Sequence, residues 1–240
     1  ADLAGNYRLK SLLLETPGFL TYGHGFHHEF AQVAPNAWLD AMLGLCFCKP
    51  CREGAKRAGI DADGLAKRIC MAVDTWLDDG LDQSLEGWNA SDPDLAAFHR
   101  FRCQVVTSLV ADIRAAVDPA VKVKVIATCQ RPHATAYLEG HDLAALDAVS
   151  DGLELPLYQA SPEAVVADGR YVLGLVSSSR TSVILRPGYP DMSREGDLTE
   201  ALEGLRDLGL VDFAFYNFGM LRPMNLEWLR NALTGQVQYV

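Results

Sequence analysis

The 240-residue sequence has no run of 18 apolar residues, so no segment is built to cross a bilayer as a helix. It has no basic block either. Lys and Arg number 21 against 31 Asp and Glu, a net charge of −10 with a pI near 5.0. That balance argues against nucleic acid or an anionic membrane as the main partner and favours a neutral or cationic small ligand. The first ten residues show no basic-then-apolar leader pattern. The dinucleotide fingerprint G-x-G-x-x-G, the phosphate loop G-x-x-x-x-G-K-[ST], the elbow G-x-S-x-G and the zincin signature H-E-x-x-H are all missing. Dinucleotide, nucleotide-triphosphate, serine-hydrolase and zincin chemistry therefore have no support. Nor is there a disulfide framework. Cys46, Cys48 and Cys51 cluster while Cys70, Cys103 and Cys129 are scattered, which reads as reduced cysteine in a cytoplasmic protein.

What is present is ordinary globular composition, 49% hydrophobic and 22% charged. A chain this long buries about 70% of its unfolded surface without needing disulfides. The pattern predicts a strand at 7–15, closed by Thr16-Pro17-Gly18, and then a loop to residue 36. Helical stretches follow at 37–44, at 49–58 and from Asp61 towards 79. The clearest helix starts at Ser91 or Asp92 with Pro93 and ends before Pro119, with apolar residues recurring every three to four positions. Beyond it, strands predicted at 121–128, 152–158, 182–186 and 212–217 alternate with helices at 143–149, 162–176 and 198–208.

Alternating strands and helices imply right-handed crossovers and a parallel sheet. No linker or change of composition divides residues 1–240, so a single domain is expected. Five strand–helix units are too few for the eight of a closed (β/α)₈ barrel. The expected fold is therefore α/β, the C-terminal part of a TIM barrel with a helical excursion after its first strand. The remaining strands would come from an N-terminal segment or a second chain. An open doubly wound sheet is the alternative.

The sharpest local signal is Cys46-Phe47-Cys48-Lys49-Pro50-Cys51 at a helix start. Three thiolates on one turn suit a tetrahedral Zn²⁺, with a structural role. The fourth ligand would be His24, His27, His28 or a residue of the missing segment. Strand alternation places Leu13 and Glu15 on one face, with Leu12 and Leu14 opposite. Glu15 then ends its strand at the rim where barrel active sites are built, and a carboxyl there suits a general acid. Tyr22, His24, His27 and His28 follow on the next loop, where imidazoles and phenols suit hydroxyl binding. Later strand ends add Arg131 and His133, then Glu154 with Tyr158, then Arg186, Tyr189 and Asp191, and finally Asn217. Glu154 needs a charged partner if buried, and Arg186 on the next strand is the expected one.

These residues resemble a known assemblage. The C-x-C-x-x-C opening a helix after a barrel strand looks like the zinc cluster of certain (β/α)₈ β-galactosidases. The strings LLLETPGF, HGFHHEF and LGLCFCKPC look closest to uncharacterised bacterial glycoside-hydrolase-like barrels. The resemblance implies that Glu15 is the acid/base at the end of the fourth barrel strand. Two departures stand out. Leu14 precedes Glu15 where that clan usually has Asn, and Ile184-Leu185-Arg186 occupies the place of the nucleophile. Asp191 can substitute only if its loop folds back.

The function expected is glycosidic-bond hydrolysis on a carbohydrate, with Glu15 as proton donor and Asp191 or Glu154 as second carboxylate. Tyr22, His24, His27, His28, Arg131, His133, Arg186, Tyr189 and Asn217 would contact the sugar. Two other classes remain open: a metal-dependent isomerase or lyase on the same barrel, and a non-catalytic barrel that binds a sugar or a protein.

Overall fold

The computed structural model describes residues 5–25, 36–80, 83–128 and 131–235. These fall into two compact units. The first takes the described residues within Ala1–Pro17, Thr107–Ala136 and Asp142–Val240, and the second those within Gly18–Val106 and Tyr137–His141.

The first unit is built on five parallel strands: β1 (Ser11–Glu15), β2 (Lys122–Ile126), β3 (Gly152–Pro156), β4 (Thr181–Leu185) and β5 (Phe213–Phe215). Their order in the sheet is their order in the chain, and the sheet curls as half of a barrel. A doubly wound sheet reverses direction at a switch point, and this order never does. β1 begins four residues later than the sequence pattern predicts. The helices between strands are α7 (Leu143–Val149), α8 (Pro162–Leu173) and α9 (Glu195–Asp207), with α10 (Pro223–Thr234) at the end. α10 was not expected, although Pro223 opens it and Gly235 closes it in the left-handed conformation.

One face of the sheet is apolar throughout. Val123, Val125, Leu153, Leu155, Leu157, Val183 and Leu185 have no exposed surface. Such side chains contribute about 1.5–3 kcal/mol each on burial. Helices α8 and α9 pack tightly here, because a Cβ on Gly169 would stand 2.8 Å from Leu205 and one on Gly204 2.5 Å from Val166. The opposite face carries the polar residues of the alternation. Register aligns Glu15 with Ile126, Ile126 with Glu154 and Glu154 with Ser182, one row across four strands.

The second unit is helical: α1 (Tyr22–Gly25), α2 (Ala37–Leu43), α3 (Lys49–Arg57), α4 (Ala62–Asp79), α5 (Leu85–Ser91) and the N-terminal half of α6 (Pro93–Ala116). Its helix starts are chemically specified. Asn36 accepts from Leu39 N–H, Asp61 from Gly64 N–H, Ser84 from Gly87 N–H and Asp92 from Leu95 N–H. Its core gathers Trp38, Met42, Leu65, Ile69, Trp76, Leu95 and Phe98. Gly18 has no room for a side chain there. A Cβ would approach the Glu139 carbonyl oxygen and stand 2.6 Å from the His141 ring.

Candidate active site and metal cluster

At the carboxyl ends of the strands, alternation delivers Glu15, Tyr158, Arg186 and Tyr216 to the polar face of the sheet. Glu15 is exposed, and its side chain takes part in no hydrogen bond or ion pair among the described residues. The next residue, Thr16, has φ +40°, a left-handed conformation unusual for a β-branched side chain, and its N–H donates to Ile126 O at 3.0 Å. A turn of that kind costs of order 1–3 kcal/mol and persists where its surroundings impose it.

Glu154 lies two strands away in the same row. Its partner is Lys124, with Nζ at 3.4 Å, and not Arg186. Lys124 also donates to Ser182 Oγ at 3.1 Å and lies 3.7 Å from Asp212, which accepts from Ser182 at 2.6 Å. The Lys-Val-Lys-Val alternation of β2 could have flagged Lys124 as facing the polar side. Its partners depend on register, which the sequence does not display.

Arg186 instead turns to Asp191. Its Nε donates to Asp191 Oδ2 at 2.5 Å, while Arg131 Nη1 donates to Oδ1 at 3.1 Å. The Asp191 carboxylate is 3% exposed, so the loop after β4 does fold back, but onto two guanidinium groups. Hydrogen bonding to Asp191 raises the Arg186 pKa, against the opposing effect of burial. Both guanidiniums lie over the Tyr158 ring, at 5.3 and 4.8 Å from its centroid, and Tyr216 stands 6.1 Å from Tyr158. Tyr189, Tyr216 and Phe218 are exposed on the loops after β4 and β5, with Asn217 half-buried between the last two.

His133 is buried against Asp168. Its N–H donates to Oδ1 and its Nδ1 meets Oδ2, both at 2.9 Å, while Gln159 donates to Oδ2 at 3.0 Å. Burial pushes the Asp168 carboxyl up, but these bonds and the His133 charge together hold it below the usual carboxylate range. Asp168 was invisible as a partner in sequence, 35 residues away.

In the second unit the sulfur atoms of Cys46, Cys48 and Cys51 lie within 4.8 Å of one another, a cluster that can hold a metal ion. Cys48 precedes α3 and Pro50 sits in its first turn. The Cys51 backbone N–H, then the Cys46 and Cys51 side chains, hold the Cys48 thiol below its ordinary value. Burial and hydrogen bonding to Cys48 and Cys46 push Cys51 up to about 12. Adjacent thiols that cannot all ionise give up their protons when a cation arrives. Tyr22 is exposed on α1, which also includes the backbone of His24. His27 and His28 lie outside the described residues.

Other buried polar groups of this unit escaped the sequence reading. Arg102 is 1% exposed, over the Phe19 ring at 4.5 Å, and donates to Gly44 O at 3.3 Å. His141 Nδ1 is 3.6 Å from Glu139. Burial, with the Arg102 charge, lowers the His99 pKa to about 3.

No protein-family model and no curated protein matches the chain. Among solved structures, the chain is similar to the glycoside hydrolase domain of PgaB (BpsB) from Bordetella bronchiseptica. The TM-score is 0.43 and the identity 18%, over 67% of this chain and 50% of that one. The chain thus spans about half the length of the structure it matches. No helix among the described residues is long and apolar enough to cross a membrane.

Proposed function

We propose that this chain supplies five consecutive strands of a (β/α)₈ barrel and acts on carbohydrate by hydrolysing a glycosidic bond. One observation carries the reading. Glu15 and Glu154 stand in a single cross-strand row on the polar face, two strands apart. Interstrand spacing puts their Cα atoms roughly 10 Å apart, a span from which two carboxyl groups reach the roughly 5–9.5 Å separations of glycosidases.

Glu15, whose side chain has no partner among the described residues, is the proton donor. Glu154, fixed by Lys124, is the second carboxylate in preference to Asp191, whose two oxygens are occupied by Arg131 and Arg186. Exposed Tyr189, Tyr216 and Phe218 offer ring faces to sugar C–H groups, and Asn217 offers hydrogen bonds to hydroxyls. His133 positions its loop through Asp168 and does not touch ligand. His24, His27 and His28 remain sugar-binding candidates from sequence alone.

Zinc is the proposed ion for Cys46, Cys48 and Cys51. Four sulfurs about 2.3 Å from zinc sit roughly 3.8 Å apart, which the observed cluster approaches. When bound, the ion would crosslink the turn before α3.

The test is a panel of chromogenic glycosides assayed with wild type and with Glu15→Gln and Glu154→Gln. Loss of an acid/base group lowers turnover about 10²- to 10⁴-fold. Full activity in Glu15→Gln overturns the assignment. A second reading, a non-catalytic sugar-binding barrel, is favoured by the engagement of both other carboxylates. It predicts sugar binding unchanged in Glu15→Gln and no turnover in any variant. A metal content that survives Cys46→Ser, Cys48→Ser and Cys51→Ser together would instead favour an isomerase or lyase using the histidines.

A further inference from the structure

Resting on the reading of this mouth as a sugar site, we propose that Arg131 and Arg186 form a subsite for the oxyanion of an acidic sugar, a carboxylate or phosphate group.

One buried carboxylate, Asp191, needs one cation to offset it, and here it has two within hydrogen-bond distance. The group as a whole keeps one positive charge, in a chain whose net charge is −10. A positive spot on an acidic protein reverses, locally, the preference for cationic ligands that the overall charge implies.

Two guanidiniums carry five N–H groups each. Asp191 takes one from Arg131 Nη1 and one from Arg186 Nε. Eight of the ten remain without an acceptor among the described residues, including both terminal nitrogens of Arg186. Paired N–H groups on one guanidinium match the two oxygens of a carboxylate or phosphate.

Asp191 and the Tyr158 ring hold both guanidiniums in place, so little side-chain entropy remains to be lost on binding. Side-chain exposures of 38% and 23% leave both arginines open to solvent. Tyr216, exposed and 6.1 Å from the Tyr158 ring, can stack on the ring that carries the anion.

The position fits a remote subsite. Arg186 lies four residues beyond Ser182 on its strand, and Tyr158 four beyond Glu154. At about 3.3 Å per residue, this group stands roughly 13 Å along the strand direction from the Glu15–Glu154 row. An anion held there touches a sugar other than the one being cleaved, and contributes binding that can be used for orientation.

The experiment is an NMR titration of the arginine Nε–H resonances of the whole chain with D-glucuronate, glucose 6-phosphate, glucose, acetate and inorganic phosphate. At least one acidic sugar is expected to bind tenfold or more tightly than glucose, and more tightly than acetate or inorganic phosphate. The preferred acid identifies the carboxylate or phosphate source. Arg131→Gln should lose at least tenfold of that affinity, and Arg131→Lys should recover part of it. Raising the salt concentration should weaken acidic-sugar binding in the wild type, which needs no variant to fold. Equal binding of glucose and both acids overturns the subsite while leaving the sugar reading intact. Acetate or inorganic phosphate binding as tightly as the sugar acids overturns it as a sugar subsite and leaves the sugar reading to the glycoside assay. No binding of any acidic probe also overturns it, whatever the glycosidase assay shows.

Discussion

Two histidines lie equally deep in this protein, one in each unit, and they are treated in opposite ways. His133 makes two hydrogen bonds to one carboxylate, Asp168, which also accepts from Gln159. Neither ring nitrogen of His99 has a hydrogen-bond partner among the described residues, and the ring of Tyr137 stands edge-on to it, 5.0 Å away. A partnered group makes its surroundings depend on it, whereas an unpartnered one is merely held neutral by burial.

The sharpest way to break that contrast is Asp168→Ala. It strips acceptors from the His133 N–H, the His133 ring and Gln159 at once, and should cost about 3 kcal/mol or more in urea unfolding. A loss under about 1 kcal/mol would mean that this network is idle.

Next is a set of side chains whose partner comes from outside. Zinc at a hundredfold over its dissociation constant should stabilise the chain by about 2.7 kcal/mol, read as a rise in Tm. The triple Cys→Ser variant should show none of that rise.

Acid titration separates the two histidine sites by pH window. An unfolded histidine takes up a proton near pH 6.5 whereas His99 resists until about 3, so its contribution falls as pH drops through that interval. Asp168 is held below the ordinary carboxylate value near 3.9, so its contribution is whole above that value and declines only under it. His99→Phe should therefore flatten the stability profile between pH 6 and about 4 by up to one proton, changing stability at pH 7.5 by roughly 1 kcal/mol or less. Asp168→Asn should flatten the profile below the ordinary carboxylate value near 3.9.

The smallest expected change is at Thr16. Thr16→Gly relieves the left-handed strain but frees the unfolded chain, for a net gain under about 1 kcal/mol. Its effect on turnover tells whether the bend after Glu15 matters to the chemistry.

The sequence made some of these elements legible and hid others for physical reasons. Leu-Glu-Leu-Pro-Leu at 153–157 declares a strand with one greasy side, because side chains alternate at every residue. The cysteine turn was equally plain, since six consecutive positions contain all three sulfurs. Partner choice was not. Lys124 meets Glu154 because β2 and β3 pair with Ile126 opposite Glu154, a register set by packing of the whole sheet. His133 and Asp168 belong to different strand–helix units, and Asp191 reaches Arg131 across 60 residues. Local patterns announce which way a residue faces, and tertiary structure alone decides whom it meets.

Position 18 shows what such closeness does to tolerance. With the Glu139 carbonyl and the His141 imidazole already occupying the volume of a methyl group, even alanine must displace main chain, so libraries randomised there should return glycine almost alone. The smallest residue in the chain is, at that corner, the least replaceable.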